Sequence, residues 1–213
     1  MKKPLALMLK KRLHKEIAKA QDLIVETIFA HIPNAVLHGG TAIWRCYNGS
    51  RFSEDLDFYF KRNVKKLDIL FESLKSIGFD VLKKRIKEEN SIYSTLKFGV
   101  AEVRLEGVFK SVKSIVKEYE LVDGTFITVR TLTPENLLLE KIDAYIKRRK
   151  IRDLYDVFYL LRFVKKEDVK KNVAVFLKNF KEPVDKHVLK SLILWGVVPD
   201  VKSMKSYMER WVR

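Results

Sequence analysis

The spacing of apolar positions changes part-way along the chain. Over residues 5–30, Leu5, Leu9, Leu13, Ile17, Leu23, Ile24 and Ile28 recur mostly at helical intervals with Lys and Glu between them. That pattern predicts one amphipathic helix, which Pro33 ends. A short apolar run at 35–37 fits a buried strand, and a helical pattern resumes over 41–48. Residues 56–60 predict a second strand, and 65–77 a helix closed by Gly78. Strands are expected at 79–87 and 91–98 around Glu89-Asn90, then at 101–109. In the last of these Val103 and Leu105 share one face, and Glu102, Arg104 and Glu106 the other. Residues 112–130 read as strand-rich with a turn at Asp123-Gly124.

At Thr133-Pro134-Glu135 the texture becomes helical. Thr133 suits an N-cap and Pro134 the first helical position. Helices are predicted at 134–149, 152–164, 167–180, 186–196 and 200–212, with Pro183 and Pro199 as breaks. The expected architecture is therefore α+β. A mixed sheet with flanking helices occupies 1–131, and an α-helical lobe follows over 132–213.

Charge adds a partner class to this picture. The chain of 213 residues carries 43 Lys and Arg against 27 Asp and Glu, a formal net charge of +16. Neutralising phosphates releases condensed counterions, so a balance this basic points to a polyanion such as nucleic acid. A lysine-rich surface serving solubility alone is the plainer reading. One cysteine, Cys46, rules out an intramolecular disulfide and a cysteine metal cluster. No stretch approaches the ~20 apolar residues of a membrane span, and 5–9 is too short for a signal segment. A cytoplasmic protein is expected.

The chemistry concentrates in residues 37–60. Asp55 and Asp57 are two apart at a strand, so their carboxylates point to one side and repel unless a cation lies between them. Oxygen ligands of this kind suit Mg²⁺ shared with substrate phosphates. Gly39-Gly40 between a strand and a helix lets backbone N–H groups approach a phosphate, and the Thr41 hydroxyl adds a donor. Arg45 or Arg51 offers charge. Taken singly, a glycine turn is a tight turn and two acids are a solvated strand. Together they form a triphosphate-and-metal arrangement.

Gly39-Gly40-Thr41-Ala42, Arg45, and then Arg51-Phe52-Ser53-Glu54-Asp55-Leu56-Asp57-Phe58 closely resemble the nucleotidyltransferases of the AbiEii/AbiGii toxin family. That family lies within the DNA polymerase beta-like nucleotidyltransferase superfamily. The resemblance spans roughly residues 35–162. It implies a nucleotidyltransferase fold in which the glycine turn holds the phosphates of an NTP and the Asp-x-Asp pair binds Mg²⁺ (or Mn²⁺). A third carboxylate on a later strand completes the set, with Glu106 the match and Glu102 the runner-up. Gly39, Gly40, Thr41, Arg45, Arg51 and Ser53 are the expected nucleotide contacts. A later helical Lys and an Arg/Lys-Asp-x-x-Asp segment match Lys141 and Arg152-Asp153-Leu154-Tyr155-Asp156. Without the resemblance Lys141 reads as a snorkelling side chain and Asp153 as a helix-start acid. With it, Lys141 is a phosphate or catalytic lysine, and Asp153 orients it or acts on the acceptor hydroxyl. The helical lobe is then expected to complete the site.

The activity implied is NMP transfer from an NTP to an acceptor hydroxyl, with RNA (a tRNA-like end) favoured by the charge together with the resemblance. A cognate antitoxin protein follows from the resemblance. A small-molecule acceptor, or a non-catalytic nucleic-acid-binding protein on the same fold, are the competing readings. The basic run Lys147, Arg148, Arg149, Lys150 and Arg152 could guide a nucleic acid, although a solvated loop is the plainer reading, and Lys165, Lys166, Lys170 and Lys171 form a second cluster. Aromatics Tyr155, Phe158, Tyr159 and Phe163 recur at helical spacing and favour core packing.

Overall fold

A computed structural model of the chain describes residues 4–87 and 90–213, with the side chain of Val64 outside the described set. Glu89 of the expected turn therefore lies outside the described residues. The chain divides into two compact units, Met1–Asn48 with Phe52–Thr131, and Gly49–Arg51 with Leu132–Arg213. The three residues Gly49–Arg51 thus group with the helical unit and not with the sequence around them.

The first unit is built on one mixed sheet. Its strands are β1 (Val36–His38), β2 (Leu56–Phe60), β3 (Asp80–Lys87), β4 (Ser91–Phe98), β5 (Ala101–Phe109), β6 (Ile115–Glu120) and β7 (Phe126–Thr131), in the spatial order β3-β4-β5-β2-β1-β7-β6. Strand β2 is parallel to β5 and antiparallel to β1, while β1 is parallel to β7. The hairpins β3–β4 and β6–β7 flank this centre. Alternation explains the arrangement. Leu56, Phe58 and Phe60 on β2, Ile92 and Leu96 on β4, and Val103 and Leu105 on β5 are buried on one face. Helix α2 (Arg12–His31) packs against β5 and against α4 (Val64–Ser76) on that side. The opposite face carries Asp57, Tyr59, Tyr93, Arg104 and Glu106, all partly or fully exposed.

Two local features of this unit have causes that the chain pattern does not contain. The single helix over 5–30 is broken. Leu5–Met8 forms one turn, α1, Leu9 is extended at φ −78 and ψ 104, and α2 starts at Arg12. Leu5 and Leu9 are both buried, and Ala6 donates to the Val122 carbonyl of the β6–β7 turn at 2.9 Å. Docking on that turn takes precedence over helix continuity, and leaves Leu13 half exposed at 51%. The second feature is Gly107, the residue after Glu106. A Cβ there would lie 2.5 Å from the Phe60 ring and 2.7 Å from Ile92. Glycine is required because an aromatic side chain on β2 fills the space.

The second unit holds helices α5 (Pro134–Arg148), α6 (Ile151–Leu160), α7 (Lys166–Lys178), α8 (Leu189–Leu192) and α9 (Val201–Val212). Thr133 caps α5, its hydroxyl accepting from the Asn136 N–H at 3.3 Å, with Pro134 following. The helix expected over 186–196 shrinks to a 3₁₀ turn at Lys186–Val188 and the four residues of α8. The cause is a competing strand-like pairing. Ile193 bridges Arg51 in antiparallel fashion, and Leu194 donates to the Ser50 carbonyl at 2.8 Å. That pairing also holds Gly49–Arg51 in this unit.

Gly107→Ala should lower stability by about 1–3 kcal/mol through overpacking against Phe60. Urea unfolding with an unchanged m-value checks it, and a loss below about 0.5 kcal/mol contradicts the assignment of Gly107 to this contact.

Candidate active site

The glycine turn is where β1 runs straight into helix α3 (Gly39–Cys46). Gly39 sits at φ +72, a region costly for any residue with a Cβ. Space makes the same demand, since a Cβ on Gly39 would fall 2.1 Å from Asp57 Oδ2. The Asp57 carboxylate therefore lies against the opening turn of α3. The first N–H groups of an α-helix have no acceptor within the helix and receive anions. Thr41 is fully buried, and its hydroxyl donates to the Asp55 backbone carbonyl at 2.5 Å. Its visible work is to tie the acidic segment to the glycine turn. On the other side of that segment, Gln21 Nε2 donates to the carbonyls of Ser53 and Glu54 at 3.0 and 2.9 Å.

Strand register then gathers the remaining groups. Asp57 is paired with His38 on β1 and with Glu106 on β5, so these three lie side by side on the open face. Glu102 pairs with Lys97 and is four residues from Glu106 along β5. Arg104 lies between them on the same face. Its Nε and Nη2 donate to the two carboxylate oxygens of Asp55, both at 2.7 Å. The His38 ring stacks on Tyr59 at 4.0 Å.

The donor set fits a divalent hard cation in kind, because Asp55, Asp57 and Glu106 offer oxygen alone. Among the described residues, no three His, Cys, Asp or Glu side chains are gathered into a finished metal cage. Mg²⁺ does not need one, since it binds through one or two carboxylates together with substrate phosphates. Arg104 is the contributor that residue-type reasoning missed. Its only signal was the alternation that puts it on the face of Glu106.

Two expected nucleotide contacts are placed elsewhere. Arg45 is 2% exposed and ion-paired with Asp22, and its guanidinium lies 4.7 Å from the ring centroids of both Trp44 and Tyr119. Its Nε and Nη1 have no hydrogen-bond partner, and the aromatic faces cover them instead. Asp22 in turn accepts the Val122 N–H at 2.7 Å, so Arg45 braces the core behind α3 and is not offered to a phosphate. Ser53 is partly exposed and stays beside the acidic pair, its carbonyl accepting from Gln21.

Arg51 belongs to the second unit. Its Nε and Nη2 bind both oxygens of Asp156, at 2.6 and 2.5 Å. Asp156 also takes Lys141 Nζ at 3.0 Å, and Asp153 lies 3.6 Å from the same ammonium. Arg148 donates to both oxygens of Asp153, at 2.7 and 2.8 Å. Arg51, Lys141, Asp153 and Asp156 are 4%, 7%, 0% and 0% exposed. Burial alone would raise the Asp156 carboxyl, but Arg51 and Lys141 overrule it and hold that carboxyl below the ordinary carboxylate range. Lys141 is thus a buried ammonium fixed by two carboxylates, not a snorkelling side chain. Asp153, with both oxygens on Arg148, is placed to orient it. Ser50 and Tyr155 hydroxyls meet at 2.5 Å, while Phe163 of the aromatic series is 42% exposed.

Comparison with known proteins fixes the family. The model for the nucleotidyl transferase AbiEii toxin of type IV toxin–antitoxin systems matches residues 24–196, and the chain belongs to that family. It is a nucleotidyltransferase of the toxin type. No curated protein matches. Among solved structures, MenT4, a nucleotidyltransferase toxin from Mycobacterium tuberculosis H37Rv, is similar with a TM-score of 0.67 at 16% identity, over 97% of this chain and 85% of that one. JHP933 from Helicobacter pylori is similar with a TM-score of 0.63 at 20% identity, over 95% and 91%. At these identities the likeness shows the fold. No helix among the described residues is long and apolar enough to cross a membrane.

Arg51→Ala leaves Asp156 buried with one cation fewer and should cost about 3–5 kcal/mol. The depressed Asp156 carboxyl contributes stability at neutral pH that is lost as pH falls through its folded value, below the ordinary carboxylate range. In Arg51→Ala that acid limb should move to higher pH. Urea midpoints across an acid pH series check both, and an unchanged acid limb contradicts the pairing.

Proposed function

We propose that this nucleotidyltransferase uses an NTP with Mg²⁺ (or Mn²⁺) and transfers the NMP unit to a hydroxyl of RNA, acting in the cytoplasm as the toxin of a toxin–antitoxin pair. The observation that carries the reading is the approach of Asp57 to Gly39. It puts a carboxylate, in register with Glu106, against the helix opening where phosphates are received. Asp55, Asp57 and Glu106 would hold the metal, which when bound neutralises triphosphate charge and favours attack at phosphorus.

The chain's own groups account for the rest. Gly39 keeps the start of α3 bare, so the N–H groups of Gly40 and Thr41 can meet phosphate oxygens. Thr41 holds the acidic segment in place through Asp55. In the helical unit, Asp153 and Asp156 set the position of the Lys141 ammonium, the lysine that the family resemblance assigns to the nucleotide phosphates. Arg51 acts behind Asp156 as a support for that lysine. In the transfer, the acceptor oxygen bonds to the α-phosphorus, the bond to the bridging oxygen breaks, and pyrophosphate leaves. The hydroxyl proton departs to solvent. Positioning and charge stabilisation suffice for this chemistry.

Support for RNA comes from the net charge of +16. Support for an antitoxin partner comes from the type IV family description.

Incubation with Mg²⁺, total RNA and each labelled NTP should transfer label to RNA. Asp57→Asn should lose on the order of a thousand-fold in kcat/KM with unchanged thermal stability. Glu106→Gln should fall comparably, whereas Glu102→Gln should stay within a few-fold of wild type. No label on RNA from any NTP, or full activity in Asp57→Asn, sinks the proposal.

A further inference from the structure

The open sheet face does not end at the acids. Following the register outward from Asp57, the next positions are Glu106 on β5, Tyr93 on β4 and Arg85 on β3. Lys83 and Lys87 lie on the same face of β3 as Arg85, because the pairing is regular from Lys83 to Lys87. At ~4.8 Å per strand, Tyr93 stands about 10 Å from Asp57 and Arg85 about 14 Å. Strand β3 is the sheet's edge, and these three cations are exposed. Among the described residues none of the three is engaged by a carboxylate. Lys84, which points to the other face, is committed to Asp68 of α4 at 2.8 Å.

Tyr93 is half-buried, and the ammonium of Lys83 stands 5.0 Å above its ring. An exposed cation–π contact of this kind is weaker than base–aromatic stacking. A nucleobase can therefore take the place of the lysine on the ring, leaving the ammonium to reach a phosphate. The face thus carries an acidic centre, an aromatic platform beside it and a basic rim beyond. That order matches a single strand whose end lies at the acids and whose backbone runs outward. Edge lysines also discourage strand pairing between molecules. That role asks for charge alone and does not explain an aromatic ring in register with the acids and covered by one of the lysines.

We infer that the open face of β4 and β3, formed by Tyr93, Lys83, Arg85 and Lys87, seats the single-stranded end of the RNA acceptor. This assignment rests on the reading above that the acceptor is RNA. The full-length chain should be titrated into a short, fluorescently labelled single-stranded oligoribonucleotide and followed by anisotropy across a salt series. Lys83→Gln/Arg85→Gln should weaken binding about ten-fold or more. Its slope of log affinity against log salt should be shallower by about 1.4, two phosphate contacts at ~0.7 each. Tyr93→Ala should weaken binding about ten-fold with an unchanged slope, and Tyr93→Phe should retain it. Thermal midpoints and the KM for NTP should not move. Lys170→Gln/Lys171→Gln on α7 serves as the charge-matched control and should bind as wild type.

Binding by Lys83→Gln/Arg85→Gln and Tyr93→Ala within two-fold of wild type overturns the inference, as does a loss confined to the α7 control. If wild type labels RNA while these variants keep its KM for RNA, the track fails and the transferase reading stands. If wild type labels no RNA yet the variants lose oligoribonucleotide binding, the track stands and the RNA-acceptor reading fails.

Discussion

The site depends on one close approach, that of the Asp57 carboxylate to the Cα of Gly39. Nothing larger than hydrogen fits on Gly39, because a Cβ would fall 2.1 Å from an Asp57 oxygen, and its φ of +72 excludes most other residues independently. Two neighbours make that approach possible. Strand β1 pairs His38 with Asp57, which sets the height of the acid, and Thr41 ties the following helix to the Asp55 carbonyl. The Asp57 carboxylate therefore rests directly against a helix start that carries no Cβ.

The open sheet face and the helical unit handle charge in different ways. On the open sheet face, Asp55 is held by Arg104, which is 48% exposed and able to exchange its partner. In the helical unit, Lys141, Asp153, Asp156 and Arg51 are withdrawn from water and satisfy one another. Buried charges of this kind contribute little net stability but penalise any structure that separates them. The network therefore specifies one position for the Lys141 ammonium within the helical unit. Arg51 links this network to the segment beside Ile193, which explains why Gly49–Arg51 leaves the sheet unit.

Local pattern reveals most of the elements here, and little of the partner choice. Strands 56–60 and 101–109 are legible because alternation and apolar content agree. The glycine turn and the strand that carries Asp57 are legible separately, while the contact between Gly39 and Asp57 appears only once β1 and β2 are neighbours. Arg45 was misread as a phosphate contact because its partner Asp22 lies 23 residues away on another helix. Arg104 was overlooked because its value comes from register with β2, which no window along one strand contains. The helix expected over 186–196 failed for the same reason, as pairing with Ser50 and Arg51 outweighs local propensity. Gly107 marks a contact with Phe60 that is invisible until the strands are neighbours.

On the function proposed, Asp57 and the glycine turn form one nucleotide-and-metal site. Isothermal titration of a non-hydrolysable NTP analogue, with and without Mn²⁺, into wild type and Asp57→Asn tests it most directly. Wild type should bind only when the metal is present, and Asp57→Asn should show no metal-dependent binding at an unchanged thermal midpoint. Nucleotide binding that ignores the metal, or that survives intact in Asp57→Asn, would contradict it.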